Sequence, residues 1–191
     1  MRALILHGPG DLRLEEVPDP RPGPGEVVVR VDAALTCATD AKMVSAGAHP
    51  ALGPLPAPLG HEVAGTVREA GAGVSWPEAG DAVVVANSAP CGACRACREG
   101  RPNLCESIVY LTGAFAELLL VPAPIVARNT LARPAGLDPA VAAMAEPLAC
   151  ALHSAGRCGA GPGDAVLVLG GGVQGQLLAG ALAGRGCRVH V

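Results

Sequence analysis

Four cysteines, Cys91, Cys94, Cys97 and Cys105, stand as Cys-x-x-Cys-x-x-Cys-x7-Cys, and this spacing constrains the chain more than any other feature. Four thiolates so placed can meet one ion tetrahedrally. Zinc is the natural occupant, because it accepts four sulfurs at about 2.3 Å and can hold together a loop that could never bury a core. Gly92 and Gly100 permit the tight turns that such wrapping requires. The intervening Arg95, Arg98, Glu99 and Arg101 read as solvent-facing, which argues against four reduced cysteines packed in an apolar interior. An iron–sulfur cluster is one alternative, although ferredoxin runs have different spacing and a Pro after the last Cys, where Glu106 follows here. A nucleic-acid-binding zinc ribbon is another. It is weakened by a net charge of -3, by arginines scattered singly, and by a single Phe, Tyr and Trp.

Eight cysteines in 191 residues would suit a secreted disulfide scaffold, but Met1 to Leu6 is too short for a signal-peptide core. No apolar run approaches the roughly 18 residues needed to span a bilayer. The expectation is a soluble, cytoplasmic, metal-binding chain with no membrane and no nucleic-acid partner. Half of the residues are hydrophobic, mostly Ala, Val and Leu, so the 26 glycines and 18 prolines read as rigid loops rather than disorder.

Short β-rich runs at Arg2 to Leu6, Leu12 to Val17 and Glu26 to Val31, separated by Pro-Gly punctuation, suggest a β-barrel-like domain. A helix over Ala38 to Ala46 precedes a Pro-rich loop, and strands follow at Glu62 to Ala70, Asp81 to Ala86 and Phe115 to Val121. From Asp138 the character changes: Asp138-Pro139 and Glu146-Pro147 are helix starts, and helical sequence continues to about Gly159. Residues 160–191 then read as strand (Ala165 to Leu169), glycines, helix (Gln176 to Ala183) and strand (Cys187 to Val191), the first β-α-β of a doubly wound domain. The fold class expected is mixed α/β, with a β-rich domain over 1–159 and an incomplete nucleotide-binding domain after it.

Cys37-Ala38-Thr39-Asp40 opens the first helix, and Gly60-His61-Glu62 sits between the stiff loop and a strand. Alone, such a cysteine is more often packing than ligand, such a histidine more often a satisfied side chain, and Thr39 and Asp40 are good helix-capping types. Their company changes the reading. With the four-cysteine lobe, Gly113-Ala114-Phe115-Ala116-Glu117, Glu146-Pro147-Leu148-Ala149 and the glycines at 170, 172 and 175, they occur in an order that resembles the zinc-containing medium-chain dehydrogenases over essentially the whole chain. The polyol and threonine dehydrogenase branch is the most similar.

The resemblance implies a GroES-like catalytic domain followed by a Rossmann-type domain, and two zinc ions, one catalytic and one structural. Cys37 and His61 would bind the catalytic zinc with a carboxylate from Glu62 or Glu146, leaving one position open for water or substrate. Cys150, one helical turn beyond Glu146, is a fallback ligand whose default reading is helix packing. Thr39 would hydrogen-bond the substrate oxygen and begin a proton relay, and Asp40 would hold the His61 ring. Ala38 departs from the Gly or His often found after the cysteine, which bears on substrate rather than on metal. The implied reaction is hydride transfer between a small-molecule alcohol (polyol, sugar or secondary alcohol) and NAD or NADP, in an enzyme expected to be a homo-oligomer, dimer or tetramer.

Gly170-Gly171-Gly172-Val173-Gln174-Gly175 fits G-x-G-x-x-G between a strand and a helix, so backbone N–H groups at a helix N-terminus can meet a pyrophosphate. Gly170, Gly172, Val173, Gln174 and Gly175 are the cofactor-binding candidates; the plainer reading is that these glycines only let strand and helix pack closely. The residue that reads the ribose 2′ position is expected about 20 residues past the first glycine, beyond Val191. A single β-α-β supplies a phosphate loop but not a dinucleotide crevice, so the chain is expected to be a truncated enzyme unable by itself to complete the reaction. A non-catalytic zinc-stabilised module of the same fold is the alternative from another class. Zinc-free quinone reductases share the architecture but would not need Cys37, His61 and the cysteine lobe.

Overall fold

In the computed structural model, which describes residues 1–191, runs of valine become the central strands of the first of two units. That unit is Met1–Ala143 and the second is Met144–Val191. Along the first lie β1 (Arg2–Gly8), β2 (Asp11–Glu16), β3 (Val27–Leu35), α1 (Ala38–Ala46), β4 (Ala57–Pro58), β5 (Glu62–Ala70), β6 (Ala82–Val85), β7 (Ser88–Ala89), α2 (Arg95–Arg98), β8 (Val109–Tyr110), β9 (Leu118–Val121), α3 (Ala123–Asn129), β10 (Thr130–Ala132) and α4 (Pro139–Ala142). An antiparallel five-stranded sheet has the order β10-β6-β5-β3-β9, and a three-stranded sheet the order β2-β1-β4.

The β-branched side chains suit a pleated, half-buried surface. Val27, Val29, Val63, Val67, Val83 and Val85 alternate along β3, β5 and β6 and meet Leu119, Val121, Ile125 and Leu111 in one core. Each buried valine or leucine contributes about 1.5–3 kcal/mol relative to exposure. A second cluster, Leu6, Met43, Leu52, Ala57 and Leu59, lies where α1 and the Pro-rich loop cover β1. The register of β3 on β5 shifts between Val31 and Ala33, next to the pairing of Val31 with Gly65.

The last expected strand of this unit begins later than the pattern suggests, at Leu118 rather than Phe115. Residues 114–117 instead serve both sheets: Ala114 and Phe115 N–H donate to the Gly60 and Leu59 carbonyls, and Leu4 N–H donates to the Phe115 carbonyl. Chain reversal around Asn129, giving α3 and β10, was not expected from sequence. Asp138 caps α4 as its type predicts, accepting from Ala140 N–H at 2.7 Å.

The second unit contains α5 (Ala145–Cys158), β11 (Ala165–Leu167), α6 (Val173–Ala183) and β12 (Arg188–His190). Pro147 sits in the first turn of α5, where its missing N–H costs nothing, and Pro147, Ala151 and Ala155 form the helix's buried stripe. β11 and β12 pair in parallel, Val166 opposite Val189, with α6 as the crossover. Ala155, Val168, Leu182 and Cys187 form this unit's core. No helix is long and apolar enough to cross a membrane.

Candidate metal centres and cofactor loop

Cys37 lies between β3 and α1 and is the N-cap of that helix. Its Sγ accepts from the Thr39 N–H at 3.5 Å, and Asp40 Oδ2 accepts from the Cys37 N–H at 2.9 Å. This reciprocal capping box starts α1 and fixes Cys37 and Asp40 against each other. From the other side the chain enters β5 through Gly60, whose φ of 92° and whose approach to Phe115 (an added Cβ would lie 2.7 Å from its backbone nitrogen) both require glycine. That turn delivers His61 and Glu62. Ligand atoms of Cys37, His61 and Glu62 all lie within 4.8 Å of one another, and His61 and Glu62 are buried.

Asp40, 3% exposed, places Oδ1 3.1 Å from His61 Nδ1. The approach is a charge contact rather than a hydrogen bond of good angle, since neither atom has such a partner. Burial pushes the Asp40 carboxyl up, but His61 and the Cys37 amide together outweigh it and hold it below the ordinary value. The Asp40 contact raises His61 to about 9, against burial, with help from Cys37. With Nδ1 held by a carboxylate, Nε2 is the nitrogen left for a metal, the usual arrangement around a ligating imidazole. Two buried carboxylates and a thiol packed around one histidine are a donor set that a divalent cation fits.

Beside this trio is a cavity of ≈ 180 Å³ lined by Thr39, Met43, His49, Ala51, His61, Asn87, Tyr110 and Leu111. It is smaller than the roughly 300 Å³ at which drug-sized sites begin, so it suits a small substrate. Thr39 and His61 were read from sequence as site residues; His49, Asn87 and Tyr110 were not. Each comes from a different segment, and no local motif marks them.

The four-cysteine lobe leaves the body of the unit between β7 and β8, which pair antiparallel and clamp its base. Asn129 Nδ2 donates to the Ser88 carbonyl at 2.6 Å, and the Arg128 guanidinium donates to the Cys91 carbonyl at 3.4 Å. The Sγ atoms of Cys91, Cys94, Cys97 and Cys105 lie within 4.8 Å of one another. Backbone amides surround them: Ala93 and Cys94 N–H donate to Cys91 Sγ at 3.4 and 3.3 Å, and Cys91 and Ser107 N–H donate to Cys105 Sγ at 3.2 and 3.3 Å. Amides of Glu106 and Cys97 pull Cys94 down to about 6, whereas burial and then Cys94 push Cys97 up to about 12. Sulfurs this close cannot all ionise without a cation among them, while the amides are arranged for thiolates. The lobe therefore fits a tetrathiolate metal. Arg95 and Arg101 pair with Glu99 on its surface.

In the second unit Gly172 is the N-cap of α6. At Gly175 an added Cβ would lie 1.8 Å from the Gly170 carbonyl oxygen, so strand and helix pack too closely for any other residue. At Gly170 and Gly172 an added Cβ would meet nothing within 4 Å, leaving open space before the helix N-terminus. Gln174 Nε2 donates to the Pro147 carbonyl at 3.3 Å and Gln176 Nε2 to the Gly171 carbonyl at 2.8 Å, steadying the loop. These features fit a pyrophosphate cradle. Glu146, in the first turn of α5, accepts from Cys150 Sγ at 3.4 Å.

The Alcohol dehydrogenase GroES-like domain family matches residues 23–130. An L-threonine 3-dehydrogenase from Pyrococcus horikoshii is 39% identical over 93% of this chain and 51% of its own length. Among solved structures, a thermostable alcohol dehydrogenase from Pyrobaculum aerophilum with cobalt and zinc bound superposes with a TM-score of 0.88 at 36% identity, covering 99% of this chain and 58% of that one. A protein from Sinorhizobium meliloti 1021, provisionally assigned as a zinc-binding dehydrogenase and solved with NADP, gives 0.89 at 36% identity over 98% of this chain and 54% of that one. The chain spans about half the length of the curated relatives it matches.

Proposed function

The chain belongs to the zinc-containing medium-chain alcohol and polyol dehydrogenase family, and on that premise we propose that it forms the alcohol-binding half of an oxidoreductase that transfers hydride between a small alcohol and NAD or NADP. The observation that carries this reading is the convergence of Cys37, His61 and Glu62 beside a small cavity, with Asp40 behind the histidine. Three protein ligands and an open side are the composition of a catalytic zinc site, as four thiolates are of a structural one.

Cys37, His61 and Glu62 would hold the catalytic ion, and Cys91, Cys94, Cys97 and Cys105 the structural ion. The catalytic zinc, when bound, supplies Lewis acidity that lowers the pKa of the alcohol oxygen. Glu62 is favoured as the carboxylate ligand by its place in the trio; Glu146, in the second unit, is the alternative. Asp40 orients the imidazole so that Nε2 faces the site. Thr39, at the cavity wall, would accept a hydrogen bond from the substrate hydroxyl and, giving its own proton on to solvent as it receives that one, begin a proton relay. Met43 and Leu111 line the same wall and keep bulk water from the reacting carbon. Gly170, Gly172, Val173, Gln174 and Gly175 would hold the cofactor pyrophosphate at the N-terminus of α6.

The reading is tested by His61→Ala in the enzyme carrying a whole cofactor-binding domain, assayed against a panel of alcohols with both nicotinamide cofactors. Turnover should fall by at least about a thousandfold while the circular dichroism spectrum is kept, as expected for losing an interaction worth several kcal/mol in the transition state. A near-normal rate would contradict it.

A further inference from the structure

His49 lines the cavity beside Thr39 and His61 and is not one of the metal-ligand trio. It lies in the loop between α1 and β4 and is half-buried. Its Nδ1 accepts a hydrogen bond from the Ala51 backbone N–H at 3.1 Å. An amide can donate only to a nitrogen that carries a lone pair, so this bond selects the neutral tautomer in which Nε2 bears the proton. The ring's remaining polar atom is therefore a donor, and to act as a base toward substrate the ring would have to give up the Ala51 bond.

We infer that His49 is a specificity-determining residue whose Nε2–H donates to a second oxygen of the substrate, one or two carbons from the reacting hydroxyl. The inference rests on the alcohol-site reading above and adds a substrate requirement to it. The cavity's size supports a small ligand: ≈ 180 Å³ is below the roughly 300 Å³ at which drug-sized sites begin. Its walls divide in a way that suits two oxygens. Met43, Ala51 and Leu111 give apolar lining, Thr39 and His61 lie with the metal-ligand trio, and His49 joins the wall from another segment of chain. A plain alkyl alcohol would fill that space and leave the His49 donor without its partner, which costs affinity.

The test needs no turnover. Zinc-loaded protein, labelled with nitrogen-15 in its histidines, is titrated with propane-1,2-diol and, separately, with propan-2-ol. Histidine tautomers and ligand-induced shifts are followed by NMR. The expected result is His49 protonated on Nε2, a shift of that nitrogen with the diol only, and binding of the diol about tenfold tighter than of the mono-alcohol. His49→Phe should abolish the preference for the diol over propan-2-ol, and His49→Gln, whose amide can donate, should restore part of it. If both ligands shift His61 with equal affinity, the alcohol-site reading stands and the role of His49 is overturned. If neither ligand perturbs His61, the alcohol-site reading fails and the inference fails with it.

Discussion

Asp40 does two things with one carboxylate: Oδ2 caps the Cys37 amide and Oδ1 faces His61 Nδ1. Asp40→Asn keeps the shape but removes the charge, and carboxylates behind metal-bound histidines typically carry 10–100-fold in metal affinity. Zinc affinity of this site, measured by competition with a chromogenic chelator, should fall by that amount, whereas an unchanged affinity would remove Asp40 from the site. Protons compete with the metal here. Because His61 is raised to about 9 in the metal-free protein, zinc must displace its proton below that pH, and affinity should climb as pH rises toward about 9. In the metal-free state the sign is opposite for stability. The charged His61–Asp40 contact contributes fully below the unfolded value of about 6.5 and is lost as pH rises through about 9. Residue types alone marked Asp40 only as a helix-capping type; its placement behind His61 was an expectation from the family resemblance. His49, Asn87 and Tyr110 were not legible in the sequence, because a cavity wall assembled from three segments leaves no periodic or local trace in the chain.

Among the elements, α1 follows the sequence closely, with a side-chain cap at Cys37, an acid at Asp40 and Gly47 in the left-handed conformation at its end. Short pieces fare worse: α3 opens with Pro122 and Pro124 and owes its existence to Ile125 and Val126 being buried, a tertiary cause. The cysteine lobe has the clearest sequence signature and the least core, with only Ala96 buried in its helix. On the proposed reading its stability comes from a bound metal, so Cys94→Ser should lower the melting temperature by several degrees and make residues 95–104 the first site of tryptic cleavage. His61→Ala should leave residues 95–104 as resistant to trypsin as in the wild type. Equal protease resistance of wild type and Cys94→Ser would show that the lobe is held by something other than the ion.

On the scale of the molecule, Met1–Ala143 carries both metal-ligand clusters and Met144–Val191 carries the glycine loop, each with a core of its own. The sequence reading placed a first domain over residues 1–159 and a second over 160–191, whereas the structure divides the chain after Ala143. α4 therefore lies in the first unit and α5 in the second. We propose that the first unit holds two zinc ions in independent sites of different kinds. Metal content of the purified protein, measured by inductively coupled plasma mass spectrometry together with the intact mass in native spray, tests it directly. The account predicts about two zinc ions per chain, about one in Cys37→Ser/His61→Ala with residues 95–104 still resistant to trypsin, and about one in Cys94→Ser with those residues opened to it. One zinc in the wild type, or a Cys37→Ser/His61→Ala variant that still binds two, would contradict it.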